Sequence, residues 1–381
     1  MTGGRPATAR RPRARGGPAE ALELFVLAPD AGGDASLLAS FRNARVLEPF
    51  PRRGGEAGAR WNRVIRAHER SLRYLEGLSA REAPRGAELR ALGRDLFDAL
   101  LPGDARRLYD VARSLQPGGV LDVVFTSMID WVADKPWELA FDPSRREFLA
   151  TSSVNFVRNV FTAVPADRAP RRRGRLRLLV ASSRPGGVPA VGVAEERAAM
   201  HAAFRELARA GLARVEALPR ATPAKLQRRL AAGDVDVLHF AGHGAFDAAR
   251  REGSILLEDE RGRARPVAAD ALRAIVARRG LRLVFLNACE SARGGRVEWN
   301  RGVAPALVAA GVPAVVANQY PVEDRAATAF ARDLYASLAR GLSIGDAARE
   351  ARLAVGRETS PEALDWAVPV VFARDPRETL R

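Results

Sequence analysis

Between residues 175 and 373, short apolar runs alternate with longer stretches whose apolar residues recur every three or four positions. Leu176–Ala181, Val215–Leu218, Val235–Phe240, Leu281–Leu286, Val312–Asn318 and Val368–Ala373 are of strand length and rich in Val and Leu. Between them, Ala194–Ala210, Pro223–Ala232, Pro266–Arg278, Val303–Ala310, Asp324–Ala339 and a segment from Ser343 to Val355 read as helices. Thr222 and Ser343 are N-cap residues, and Pro223 fits the first helical position behind Thr222. Ser254–Leu257 adds a small hairpin. Apolar strands alternating with helices predict an α/β fold, a mostly parallel sheet flanked by helices on both faces.

Upstream the pattern is more mixed. Leu22–Ala28, Ser36–Phe41 and Ala44–Pro49 suggest a small β unit. Apolar stripes across Trp61–Leu78, Ala87–Leu101 and Ala105–Leu115 suggest helices. Val120–Phe125 and Val154–Val160 read as strands, with a hairpin between them turning at Asp142-Pro143-Ser144. The expected organisation is an Arg-rich arm without periodicity over 1–19, an N-terminal α/β region over 20–165, and a second region over 175–375. Pro165–Gly174 is the linker. No fixed-period repeat is visible.

Composition changes this picture little. The 381 residues carry a net charge of +16. Lys135 and Lys225 are the only lysines among 61 basic residues, and Ala, Gly and Pro are abundant. That reads as the codon usage of a GC-rich genome; the arginines are scattered, so nucleic acid is not expected as a partner. No apolar run approaches the roughly 18 residues of a membrane span, so no membrane partner is expected. The arginines near the N-terminus precede no apolar core of a secretory signal, and the single cysteine excludes an internal disulfide. Together these point to the cytoplasm.

The candidate chemistry sits where two of the strands end. Val235–Phe246 runs into Gly242-His243-Gly244, read as a turn of small residues, and Leu281–Ser291 runs into Asn287-Ala288-Cys289-Glu290-Ser291. Adjacent parallel strands deliver their C-terminal ends to one sheet edge, where α/β proteins keep their sites. An imidazole beside a thiol makes a thiolate nucleophile with its base, and the amides of Gly244 and Cys289 are natural oxyanion donors. Plainer readings compete: a lone cysteine after an apolar strand is commonly a buried small hydrophobe, and a lone histidine a structural hydrogen-bonder. His239 and His243 are spaced for metal ligation on a helix but not on a strand, and no further ligands have metal spacing. The Gly186-Gly187 loop lacks a phosphate-binding pattern. No metal and no cofactor are expected.

His239-Phe240-Ala241-Gly242-His243-Gly244 and Leu286-Asn287-Ala288-Cys289-Glu290-Ser291 resemble the two signature stretches of the CHAT domain, a family of caspase-like cysteine peptidases in the caspase and separase clan. Pro136-Trp137-Glu138-Leu139, Gly311–Ala317 and Tyr320-Pro321-Val322-Glu323-Asp324 resemble other family segments, so the likeness spans about 85 to 373. The resemblance implies a caspase–haemoglobinase-like fold with His243 as base and Cys289 as nucleophile, cutting peptide bonds through a thioester. It implies a specificity pocket near Ser183, Arg184, Asn287 and Asp324. Relatives that cut after basic residues often carry an acid where this chain has Asn287, so no basic preference is assigned. Arg184 suits an acidic substrate residue or is one more surface arginine; Asp324 lines the pocket or caps the helix it opens. The N-terminal region is expected to build a second lobe of the sheet without catalytic residues. The family resemblance further implies a protein or peptide substrate and a role in bacterial defence or programmed death. Without a sensor array of repeats, a separate activator or sensor protein is expected. The alternative function is a catalytically idle caspase-fold module that binds peptides.

Overall fold

The computed structural model describes residues 20–29, 35–50, 59, 62–63, 66, 86–116, 119–163, 174–188, 193–247, 249–250, 252–290, 302–319, 324–360 and 362–380. The side chains of 193–200, 289–290 and 324 lie outside the description, as do the expected arm and most of the expected 61–78 helix. The strands are β1 (Leu22–Leu27), β2 (Ser36–Phe41), β3 (Ala44–Pro49), β4 (Leu121–Ser127), β5 (Phe141–Asp142), β6 (Glu147–Phe148), β7 (Val154–Asn159) and β8 (Leu176–Ser182), continuing with β9 (Ala213–Leu218), β10 (Val237–Asp247), β11 (Glu252–Glu258), β12 (Ala264–Ala268), β13 (Leu283–Glu290), β14 (Ala314–Asn318) and β15 (Pro369–Ala373). The helices are α1 (Gly86–Leu100), α2 (Gly103–Ser114), α3 (Asp130–Ala133), α4 (Val193–Arg209), α5 (Pro223–Ala231), α6 (Ala269–Val276), α7 (Val303–Ala309), α8 (Asp324–Ala339) and α9 (Ile344–Glu358).

All strands except the β5–β6 hairpin join one sheet, in the order β12-β11-β10-β13-β14-β15-β7-β4-β1-β2-β3, with β8 and β9 branching from β10. β10, β13 and β14 pair in parallel, as do β1, β4 and β7. β15 joins the two groups, antiparallel to β14 and parallel to β7. The β1, β4 and β7 group therefore runs opposite to the β10, β13 and β14 group, and its strand ends open on the other edge.

The period of two along each strand divides the core. Val237, Leu283, Phe285, Ala314 and Val316 pack on one face with α1, α2, α4, α8 and α9. Leu238, Phe240, Val284, Leu286, Val315 and Ala317 pack on the other with α5, α6 and α7. Helices thus cover both faces, as the alternating pattern predicts. The Thr222 hydroxyl caps α5 by accepting from the Lys225 amide, with Pro223 behind it, and Ser343 caps α9 through the Asp346 amide. Among the described residues, no helix is long and apolar enough to cross a membrane.

Two expectations need correction. Pro266 opens no helix: it lies in β12, opposite Leu256, and α6 begins at Ala269. β12 is the outermost strand, where a missing N–H breaks no outer ladder bond. The turns expected at Gly242–Gly244 and Ala288–Cys289 are absent, because β10 runs on to Asp247 and β13 to Glu290. Both extensions have a partner to pair with: β11 from one side of β10, and the two strands each other.

Candidate active site

β10 has two edges and three neighbours. β13 lies along one edge from Val237 to Gly244. The other edge is shared: β8 covers Val237–Ala241, and β11 covers His243–Asp247. The fork falls at Gly242. Backbone bonds stitch it closed, with the Ser183 amide donating to Ala241 O (3.2 Å), Ala221 to Ser182 O (2.9 Å) and Glu258 to Ala221 O (2.9 Å).

The glycine at the fork has a packing reason. A Cβ on Gly242 would come within 2.7 Å of the Phe240 ring, which is fully buried beside it. Gly244 stands between Ile255 on one side and Glu290 on the other. Both glycines are strand residues, not turn residues.

His243 lies opposite Leu256 on β11 and opposite Cys289 on β13. Only 6% of it is exposed. Burial pushes its pKa below the ordinary histidine value, and the positive charge of Arg184 pushes the same way. The imidazole is therefore held neutral near pH 7, the form that can accept a proton. His239, four residues earlier, has a different role. It is fully buried; its Nδ1 lies 2.8 Å from the Tyr335 hydroxyl, and its ring stands edge-on to Phe204 and Phe285. It ties β10 to α4 and α8.

Of the residues expected around a specificity pocket, Ser183 and Arg184 sit at this fork, Asn287 bonds to the end of β14, and Asp324 lies farther along the chain. Ser183 is buried just past β8, and its Oγ has no partner among the described residues. Arg184 follows it and is exposed. Its amide donates to Glu258 Oε1 (3.0 Å). Asn287 is buried on β13 and its Oδ1 accepts from Asn318 Nδ2 on β14 (3.0 Å). Asp324 opens α8; its side chain is outside the described residues.

Two buried acids are not recognised as such by the sequence reading, one at the fork and one away from it. Glu258 closes β11 with 3% exposure, and its second oxygen accepts from Arg220 Nε (3.2 Å). In sequence it is one acid after an apolar run, and nothing there signals its burial. Glu138 of the Pro136-Trp137-Glu138-Leu139 segment is fully buried and paired with Arg158 of β7. An acid framed by Pro-Trp and Leu was a signal of burial.

The CHAT domain family model matches residues 90–374, most of the chain, so the chain belongs to the CHAT domain family. No curated protein matches it. Similar solved structures include the Arg-specific cysteine proteinase gingipain R, at 12% identity and TM-score 0.47, over 76% of this chain and 71% of that one. Another is a chain of the Saccharomyces cerevisiae separase–securin complex, also at 12% identity and TM-score 0.47, over 92% of this chain and 30% of that one.

Proposed function

We propose that this chain is a cytoplasmic cysteine endopeptidase in which His243 is the general base and Cys289 the nucleophile. The observation that carries the reading is the register: the two residues are direct partners on adjacent parallel strands, and both lie within the stretch the CHAT family model matches. The neutral imidazole of His243 takes the thiol proton as the sulfur attacks the substrate carbonyl carbon. A tetrahedral oxyanion forms, held by the amides of Gly244 and Cys289. The amide C–N bond then breaks, the leaving amine takes the proton from His243, and a thioester remains on Cys289. Water, activated by the same imidazole, hydrolyses that thioester and frees the thiol.

The substrate is a protein or peptide, with Ser183, Arg184, Asn287 and Asp324 around the residue cut. A separate activator protein switches the enzyme on. The test is digestion of a peptide library by the wild type and by Cys289→Ala. A cleavage pattern that disappears in the variant supports the reading and reveals the preferred residue. Identical patterns refute it. An activated peptide probe that labels neither the wild type nor His243→Ala would favour the idle peptide-binding module.

A further inference from the structure

One fully hydrogen-bonded charge of the described interior lies away from the candidate dyad. It is Arg158, near the end of β7 and 4% exposed. Its Nε donates to Glu138 Oε1 (2.9 Å), and its Nη2 to Glu138 Oε2. Nη1 donates to Ala133 O (2.6 Å) and Nη2 to Lys135 O (2.9 Å). These acceptors all belong to the crossover between β4 and β7, which carries the Pro136-Trp137-Glu138-Leu139 segment.

Two side-chain bonds tie this cluster to Gln319. Arg158 Nη2 donates to Gln319 Oε1 (3.1 Å), across 161 residues of sequence. Gln319 also donates from Nε2 to Asp134 O (2.7 Å), and its amide donates to Val368 O (3.0 Å). It is the first residue after β14. The residue before it, Asn318, donates to Asn287, two positions before Cys289 on β13. A continuous polar path thus runs from Glu138 through Arg158, Gln319 and Asn318 to the strand that ends at the candidate nucleophile.

A buried ion pair contributes little net stability, because desolvation offsets the attraction, so stability alone does not explain this placement. A planar guanidinium with fixed donors is instead a rigid template that sets the position of whatever it binds. We propose that Arg158, oriented by Glu138, is a positioning residue for the candidate site: it holds Gln319 and Asn318, and through them the end of β13. Its link to reaction rests on the peptidase reading above. The N-terminal region would then act on the site through Gln319, although its strand ends open on the opposite edge.

The experiment uses the full chain with Gln319→Met, which cuts the path without stranding a charge, and Gln319→Glu, which keeps an acceptor for Arg158. Backbone amide exchange is followed in peptides covering residues 283–288 and 314–319, with residues 121–127 as reference. Cys289 labelling by an activated peptide probe is followed beside labelling by a small alkylating agent. Gln319→Met should speed exchange in the first two peptides by about tenfold, as expected for losing a hydrogen bond to a charged group, and leave the reference unchanged. It should slow the maximal rate of peptide-probe labelling more than it weakens probe binding, with Gln319→Glu, which keeps the acceptor for Arg158 but loses the donor to Asp134 O, between it and wild type. The double variant Glu138→Leu with Arg158→Met, which replaces both charges, should behave like Gln319→Met. Unchanged exchange at both strand ends in Gln319→Met overturns the proposal. So does faster exchange with wild-type labelling kinetics, which would make the contact structural only. A wild type that reacts with the small agent but never with the peptide probe overturns the peptidase reading and the link to reaction, while exchange alone still decides whether the contact holds the strand ends.

Discussion

His239 is the histidine whose environment has the clearest thermodynamic consequence. It is fully buried among Phe204, Phe285 and Tyr335, and burial lowers its pKa from 6.5 to about 3. In the unfolded chain it titrates normally. A group whose native pKa is depressed contributes stability that is complete above the unfolded pKa and is lost as pH falls. Here the loss begins near pH 6.5 and continues down to about pH 3. One unit below the unfolded pKa it amounts to about 1.4 kcal/mol; over the full interval it approaches roughly 5 kcal/mol. The perturbation is His239→Leu with Tyr335→Phe, which removes both members of the 2.8 Å hydrogen bond, so that no polar atom of the pair is stranded. Urea unfolding of both proteins at about pH 7.5 and about pH 5.5 gives the two pH dependences at constant denaturant slope. The wild type should lose about 1.4 kcal/mol more than the double variant between these conditions. His243 is also shifted downward, but it contributes equally to both proteins and cancels in the difference. Equal pH dependence in the two proteins would show that His239 is not held neutral by burial, and the argument would fail.

Arg184→Ala removes the positive charge that lowers the His243 pKa, so the midpoint of the pH profile of Cys289 labelling should move to higher pH; a profile that stays or moves down refutes the coupling. Gly242→Ala pushes a methyl into the Phe240 ring and should cost about 1–3 kcal/mol in urea unfolding. Wild-type stability in that variant would mean the ring has room to move. Asp122 is buried and its pKa is raised, chiefly by desolvation. A raised carboxyl pKa gives stability that is present below the unfolded pKa and lost as pH rises through the native value. Asp122→Asn keeps the acceptor for the Asn155 amide and should therefore raise the urea midpoint at pH 7 relative to wild type, and less so at pH 4. A lower midpoint at pH 7 would count against it.

The parts of this fold that hydrophobic period and caps determine were legible in the sequence. β2, β3 and α8 begin and end at the expected residues, and the caps at Thr222 and Ser343 form as the residue types require. Period cannot say how far a strand continues when its neighbours extend it. Gly242-His243-Gly244 looked like a turn because small residues usually break strands, yet β11 and β13 hold it extended. Pro266 misled for the mirror reason: proline starts helices, and it also survives on an outer strand. The candidate residues His243 and Cys289 were legible from their local motifs. That their strands are neighbours was legible as well; that the two residues stand directly opposite each other was not, because register is decided by the whole sheet. The Glu138–Arg158–Gln319 path was invisible, since only folding brings those positions together.

The place of β15 carries a consequence for how the protein is made. It follows every other described strand in chain order, yet it lies in the middle of the sheet, between β14 and β7. As the chain emerges from the ribosome, β7 and β14 each present an unpaired edge until residues 369–373 arrive. Such distant pairing is slow, and an open apolar edge invites the wrong partner. The two groups of strands become one sheet only once β15 has been made. A nascent chain of this design is unable to complete the scaffold of its candidate site before residues 369–373 have emerged.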